Sequence, residues 1–291
     1  MSRDPMIPSD EAPSGGAPVG VMDAVRSGWG LLMADFWPLW LPALVVYALQ
    51  LAAGTFGAVP YIGACFAIAI GIFLTPPLGV GLYYVVTRRV QGGRAEVGQV
   101  FEGFRQRYWP SVVAHLPLLA VGVGVALVAL ALVLVILAGF GAFSGGNLSD
   151  EDAVAMVVMM ALVIVPLVLL GVVAAMFFTF ALLAVWDHPA SGWEAAKASV
   201  RLVRGHFWSV LGFALLFALL QLAAALLGAL ACGVGIVFTF PVVMVWKSAA
   251  TVYLYQSWTG RPVALPPAGI RAGGTTGGAI PPADVEPPPA P

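Results

Sequence analysis

The sequence predicts an all-α polytopic membrane protein with six transmembrane helices, arranged as three parallel units of one interfacial amphipathic helix plus a transmembrane hairpin. Three observations predict it. Of the 291 residues, 60% are hydrophobic and only 9% are charged, a balance far outside that of soluble domains. The charges are also segregated: no Asp, Glu, Lys or Arg occurs from Phe36 to Thr87, from Pro110 to Ser149, from Ala153 to Trp186 or from Gly205 to Trp246. A bilayer core takes about 20 apolar residues per helix, so the first and last runs hold two spans each and the middle two hold one each. Finally, one amphipathic pattern recurs three times, and each copy opens onto an apolar run.

The clearest copy is SGWEAAKASVRLVRGHFW, Ser191 to Trp208. Read as a helix, it places Trp193, Ala196, Val200, Val203 and Phe207 on one face and Lys197, Arg201 and Arg204 on others. Ser191 and Glu194 form an S-x-x-E capping box that marks the helix start. Met22, Val25, Trp29, Leu32 and Phe36 repeat the stripe with Arg26 beside it, and Val97, Phe101, Phe104 and Tyr108 repeat it with Arg105 and Arg107 nearby. The next residue is tryptophan each time: Trp37, Trp109 and Trp208.

In chain order, residues 1–20 are rich in Pro, Ser and Gly and read as a disordered lead-in, not a signal peptide, because the first apolar segment starts late and is long enough to span. The membrane domain covers residues 21–260, in units of about 21–90, 91–187 and 191–260. Its spans are expected near Phe36 to Thr55, Ala64 to Val86, Ser111 to Leu137, Ala153 to Trp186, Phe207 to Leu230 and Gly233 to Ser257. A second juxtamembrane helix is expected from Arg94 to Trp109, and a polar loop from Gly139 to Asp152. The fourth run exceeds the thickness of a bilayer, so it should kink at Pro166 or extend past one surface. Residues 261–291 are proline-rich and read as a disordered tail.

Every Lys and Arg except Lys247 falls before span one, between spans two and three, between four and five, or after six; the opposite loops carry only Asp150, Glu151 and Asp152. The positive-inside rule makes both termini and the interfacial helices cytoplasmic. The units also share more than their stripes. Aligning Ala24 to Ala53 with Ala195 to Ala224 pairs Phe36-Trp37 with Phe207-Trp208 and Gln50 with Gln221, and GIFLTPP (Gly71 to Pro77) pairs with GIVFTFP (Gly235 to Pro241). The middle unit keeps the stripe, Tyr108-Trp109 and Pro166. Two spans per unit make the repeats parallel, not inverted.

WEAAKASVRLVRGHFW, the Pro-bearing spans, the closing ATVYLYQSW and GLYYVVTRRVQGGRAEVGQVFEGF (Gly81 to Phe104) together resemble the six-helix bacterial membrane proteins related to the membrane domain of certain glycerophosphodiester phosphodiesterases, and the YciC-like integral membrane families. The resemblance covers about residues 20 to 262 and implies a bacterial inner membrane location. It carries over no catalytic residue, because the phosphodiesterase would be a separate barrel domain for which this chain has no room.

Candidate chemistry centres on Lys247, the charged side chain deep within a span. An intramembrane cation is a functional hypothesis by default, here a contact for an anionic substrate or lipid headgroup. The bland alternatives are snorkelling to the interface or bonding to carbonyls loosened by Pro241. Arg105, Arg107, Lys197, Arg201 and Arg204 are candidate contacts for anionic lipid at the cytoplasmic interface, or they simply anchor the fold. His115, Gln50 and Gln221 are expected to hydrogen-bond between helices. Gly122 and Gly124 lie in an apolar run with no strand before it and read as helix packing, not a nucleotide loop. Cys65 and Cys232 lie near outer span ends and are expected as free thiols, although an oxidising compartment could join them.

No nucleophile, base or metal cluster is visible, so no enzyme, cofactor, metal or nucleic-acid partner is expected. The leading expectation is a non-enzymatic scaffold or partner-binding component of the envelope, seated in the lipid bilayer with a possible protein partner. The alternative, from a different class, is a transporter or lipid-handling protein with its anion contact at Lys247.

Overall fold

The computed structural model describes residues 19–57, 63–144, 150–188, 191–230, 234–260 and 262. The lead-in up to residue 18, most of the proline-rich tail and Cys232 lie outside the described residues, as does the side chain of Cys65. All regular structure among the described residues is helical: α1 Val21–Ala34, α2 Phe36–Gly57, α3 Gly63–Phe73, α4 Thr75–Val90, a 3-10 turn Val97–Phe101, α5 Glu102–Gln106, α6 Tyr108–Ser144, α7 Asp150–Met176, α8 Ala181–Asp187, α9 Gly192–Gly205, α10 Phe207–Leu230 and α11 Val234–Thr259. Six segments are long and apolar enough to cross a membrane, by length and composition: Phe36–Thr55, Ile68–Val90, Tyr108–Gly139, Glu151–Asp187, Phe207–Leu230 and Gly235–Thr259.

Spans one, five and six fall close to their expected positions, whereas spans two and four are broken. The second span divides at Leu74 because Pro76 and Pro77 have no N–H to donate to the preceding turn, and α4 begins afresh with proline in its first turn. The fourth run passes through Pro166 as continuous helix. It breaks at Phe177 to Phe180, where the backbone tightens to three-residue hydrogen bonds such as Phe178 N–H to the Ala175 carbonyl (3.0 Å). Ser199 of α9 fills this break. Its hydroxyl donates to the Phe177 carbonyl (2.7 Å) and accepts from the Phe180 N–H (3.2 Å).

The expected helix from Arg94 to Trp109 is instead a 3-10 turn plus the short α5, and Trp109 belongs to α6. A Glu96/Gln99 capping box starts the turn. The turn lies backbone to backbone on α4. A Cβ at Gly81 would collide with the Val100 carbonyl, and one at Gly103 with the Pro77 carbonyl. The polar loop is also shorter than expected, because α6 continues to Ser144 and α7 begins at Asp150.

The apolar stripes of α1 and α9 are only partly buried. On α9 the buried residues are Gly192, Ala195, Ala196, Ser199 and Val203, while Trp193 is 52% exposed. On α1 they are Ala24, Val25, Gly28 and Leu32, while Met22 and Trp29 stay exposed. Lipid solvates bulky apolar groups as well as a protein core does, so small residues face the protein and permit close backbone approach. A Cβ at Gly28 would lie 2.9 Å from the Ala250 nitrogen of α11.

Helix α1 packs on α11, where the Trp246 indole N–H donates to the Val25 carbonyl (2.8 Å) and its ring lies 4.7 Å from Trp29. Helix α9 packs on α8 and α6, and α10 packs on α11 through Phe217 and Trp246. Leu32, Leu39, Leu78, Phe180, Trp186, Phe213 and Phe217 form the buried centre. Helices α6 and α7 pair with each other but present Leu127, Val135, Leu162 and Leu170 outward, each more than half exposed. Such a surface is suited to lipid or to an apolar partner, not to water. Gly122 and Gly124, expected to pack a neighbouring helix, face open space.

Candidate functional site

A cavity of about 360 Å³ lies among α4, α6, the α7–α8 break, α10 and α11. Its polar groups are Tyr83, His115, Thr179, Gln221 and Lys247; its walls are apolar residues such as Leu118, Met176, Leu182 and Phe213. Exposed Val172 of α7 and Gln221 of α10 line it, which places its opening between those helices, towards lipid.

Each polar group arrives by a different local cause. Lys247 lies about 18 Å from the Thr259 end of α11 by helical rise, near mid-helix. The backbone around it is held by the Thr251 hydroxyl, which donates to the Lys247 carbonyl (2.8 Å), and by Ser248, which donates to the Met244 carbonyl (2.8 Å). His115 is carried on the buried side of α6 beside Ala114, which is fully buried. Thr179 projects from the break that Ser199 props open. Tyr83 comes from α4, whose position is fixed by the close approach of the 3-10 turn at Gly81.

Lys247 has no ion pair or side-chain hydrogen bond among the described residues, and no carboxylate lines the cavity. The Lys247 side chain lines the chamber. The interhelical hydrogen bonds expected of His115, Gln50 and Gln221 are absent among the described residues; His115 and Gln221 face the same chamber as Lys247. An ammonium with three donors, an amide, an imidazole and two hydroxyls in apolar walls can bind an anion, the donor set matching oxyanion acceptors.

The interfacial cations are not brought to this chamber. Arg105 is a surface partner of Glu102 (3.6 Å) and is 65% exposed. Arg107 stacks over the Trp186 ring (5.6 Å), and its Nε is buried without a partner; burial pushes the guanidinium down from its ordinary value. Lys197 pairs with Glu194 (3.0 Å) and lies over Trp193. Arg204 is exposed. Arg201 lines a second cavity, described below.

Tyr83 and Thr179 do not stand out in the sequence. A signal for Tyr83 is nevertheless present: the register that pairs Gly71–Pro77 with Gly235–Pro241 also pairs Tyr83 with Lys247. Among the described residues no three His, Cys, Asp or Glu side chains gather as a metal site would require.

Fold and chamber together define a multi-pass helical membrane protein with an ionisable side chain in an intramembrane cavity. The chain belongs to the DUF7847 family, described as a domain of unknown function, whose model matches residues 20–259. No curated protein and no solved structure matches it.

Proposed function

We propose that the chain is a non-enzymatic inner-membrane protein that binds an anionic amphiphile in the Lys247 chamber, as a lipid-handling or transport component would. The observation that carries this reading is the unpaired ammonium. A charge taken out of water costs several kcal/mol unless it is compensated, and the spans contain no carboxylate deep enough to compensate Lys247. An anion supplied from the bilayer would do so. The chamber opens towards lipid and is large enough for a headgroup with part of its chain.

The parallel three-unit arrangement belongs to the same reading and is supported by the contacts of the interfacial segments. Helix α1 lies on α11, the 3-10 turn and α5 lie on α4, and α9 lies on α8. Each unit's interfacial segment thus packs on the second span of another unit. Both termini are cytoplasmic in this reading, following the basic residues. The resemblance to the phosphodiesterase membrane domain rests on sequence pattern and adds no site residue.

The scaffold reading keeps one observation in its favour. Arg26 and Arg204 are exposed and unpaired among the described residues, available to a partner outside the bilayer. Native mass spectrometry of protein released gently from membranes separates the two. An anionic molecule that co-purifies with wild type and Lys247→Arg but not with Lys247→Met supports the chamber. The same protein partner on all three forms, with no small anion, supports the scaffold.

A further inference from the structure

A second cavity, of about 430 Å³, lies between α9, the end of α8 and the end of α11, lined by His188, Arg201, Leu202, His206, Tyr255 and Thr259. It shares no residue with the Lys247 chamber. From its geometry we propose that it binds the phosphate of an anionic phospholipid headgroup, with Arg201 as the principal contact.

Arg201 is the cation of α9 best placed for this. Lys197 is engaged by Glu194, and Arg204 does not line the cavity. Arg201 has no ion pair among the described residues, and its planar fork suits phosphate oxygens. The two nearby carboxylates are already occupied: Asp187 accepts from the Tyr255 hydroxyl (2.7 Å) and Glu194 from Lys197 (3.0 Å). Glu194 is held below its ordinary value by Lys197 first, with smaller contributions from Arg201 and His188. His206 is fixed in place. Its ring stacks on Trp258 (4.3 Å) and its Nδ1 lies 3.2 Å from the Leu202 carbonyl.

Depth selects the source of the phosphate. Arg201 lies on α9 between Trp193 and Trp208, which are 52% and 79% exposed, and the equivalent Trp37 and Trp109 are 62% and 65% exposed. Exposed tryptophan concentrates at the headgroup layer, so the cavity opens at the level of lipid phosphates. Basic pockets at that level recognise anionic headgroups.

The test uses full-length protein in a Lys247→Met background, so that the chamber does not contribute, and titrates phosphatidylglycerol by native mass spectrometry. Arg201→Gln should weaken the first adduct by about tenfold, in keeping with loss of a charged hydrogen bond. Arg201→Lys should lose part of this affinity, and Arg204→Gln should keep it. Adducts that survive excess inorganic phosphate assign the site to lipid, whereas Arg201-dependent displacement by phosphate assigns it to the free anion and overturns the lipid proposal. Equal adduct formation by the parent and Arg201→Gln, or equal loss in Arg204→Gln, overturns the site itself.

Discussion

Gly81→Ala and Gly103→Ala are expected to destabilise the fold far more than a single added methyl group normally would. Both glycines lie where the 3-10 turn and α5 rest on α4, and at each the added carbon would meet backbone, the Val100 carbonyl or the Pro77 carbonyl. Backbone cannot move aside by changing rotamer, so the whole turn must lift. Inserting a methylene into a packed core costs about 1–3 kcal/mol, and a clash against backbone lies at the upper end. Lifting the turn also exposes Val100, which is fully buried, at a further cost of about 1.5 kcal/mol. Some of these two costs overlap, so each substitution should lose about 3 kcal/mol. Gly122→Ala and Gly124→Ala are the controls: nothing lies within 4 Å of either added carbon, and alanine in a helix interior gains about 0.5–1 kcal/mol over glycine. Reversible unfolding in mixed micelles, followed by helical circular dichroism, reads all four. If Gly81→Ala proves as stable as Gly122→Ala, the backbone contact between the turn and α4 is wrong.

Three further outcomes rest on specific contacts. Ser199→Ala removes the hydroxyl that serves both the Phe177 carbonyl and the Phe180 N–H; it should cost about 1–3 kcal/mol and speed amide exchange at Phe180 before that of α10. Trp246→Phe leaves the Val25 carbonyl without its indole donor, so α1 should lose about 1–2 kcal/mol of docking, measurable as faster exchange across Val21–Ala34. Glu194 has a depressed folded value, caused first by Lys197. Its contribution to α9 is therefore present above the ordinary carboxylate range and lost as pH falls through the folded value. A carboxyl NMR titration should show Glu194 moving back up in Lys197→Met.

Much of the architecture was legible in the chain because membrane helices follow simple rules. The charge-free runs placed spans one, five and six close to α2, α10 and α11. What failed to show in the pattern depended on contacts between distant residues. The break at Phe177 to Phe180, where Ser199 from another helix supplies hydrogen bonds, has no signal in the local sequence. The stripes of α1 and α9 gave the right helices but not which of their members face the protein: Val25, Leu32, Ala196 and Val203 are buried, whereas Met22, Trp29 and Trp193 are exposed, a choice that periodicity alone cannot make. For the site, Lys247 stood out as a lone charge. Its neighbours were less legible: His115 and Gln221 read only as hydrogen-bonding residues between helices, and Tyr83 and Thr179 do not stand out until α4, α6, the break and α10 converge.

Whether Lys247 holds an anion inside the bilayer decides the proposed function. The most direct test is the stabilisation of purified protein by dodecyl phosphate, a single-chain amphiphile, compared among proteins with Lys247 intact, Lys247→Arg and Lys247→Met. A ligand that binds only the folded state raises stability with the logarithm of its concentration over Kd. To keep the interfacial site silent, all three proteins carry Arg201→Gln. The expected result is a concentration-dependent rise in Tm with Lys247 intact, a smaller rise in the Lys247→Arg protein, and none in the Lys247→Met protein. An equal rise in the Lys247→Met protein, or no rise in any of the three, would contradict anion binding at Lys247.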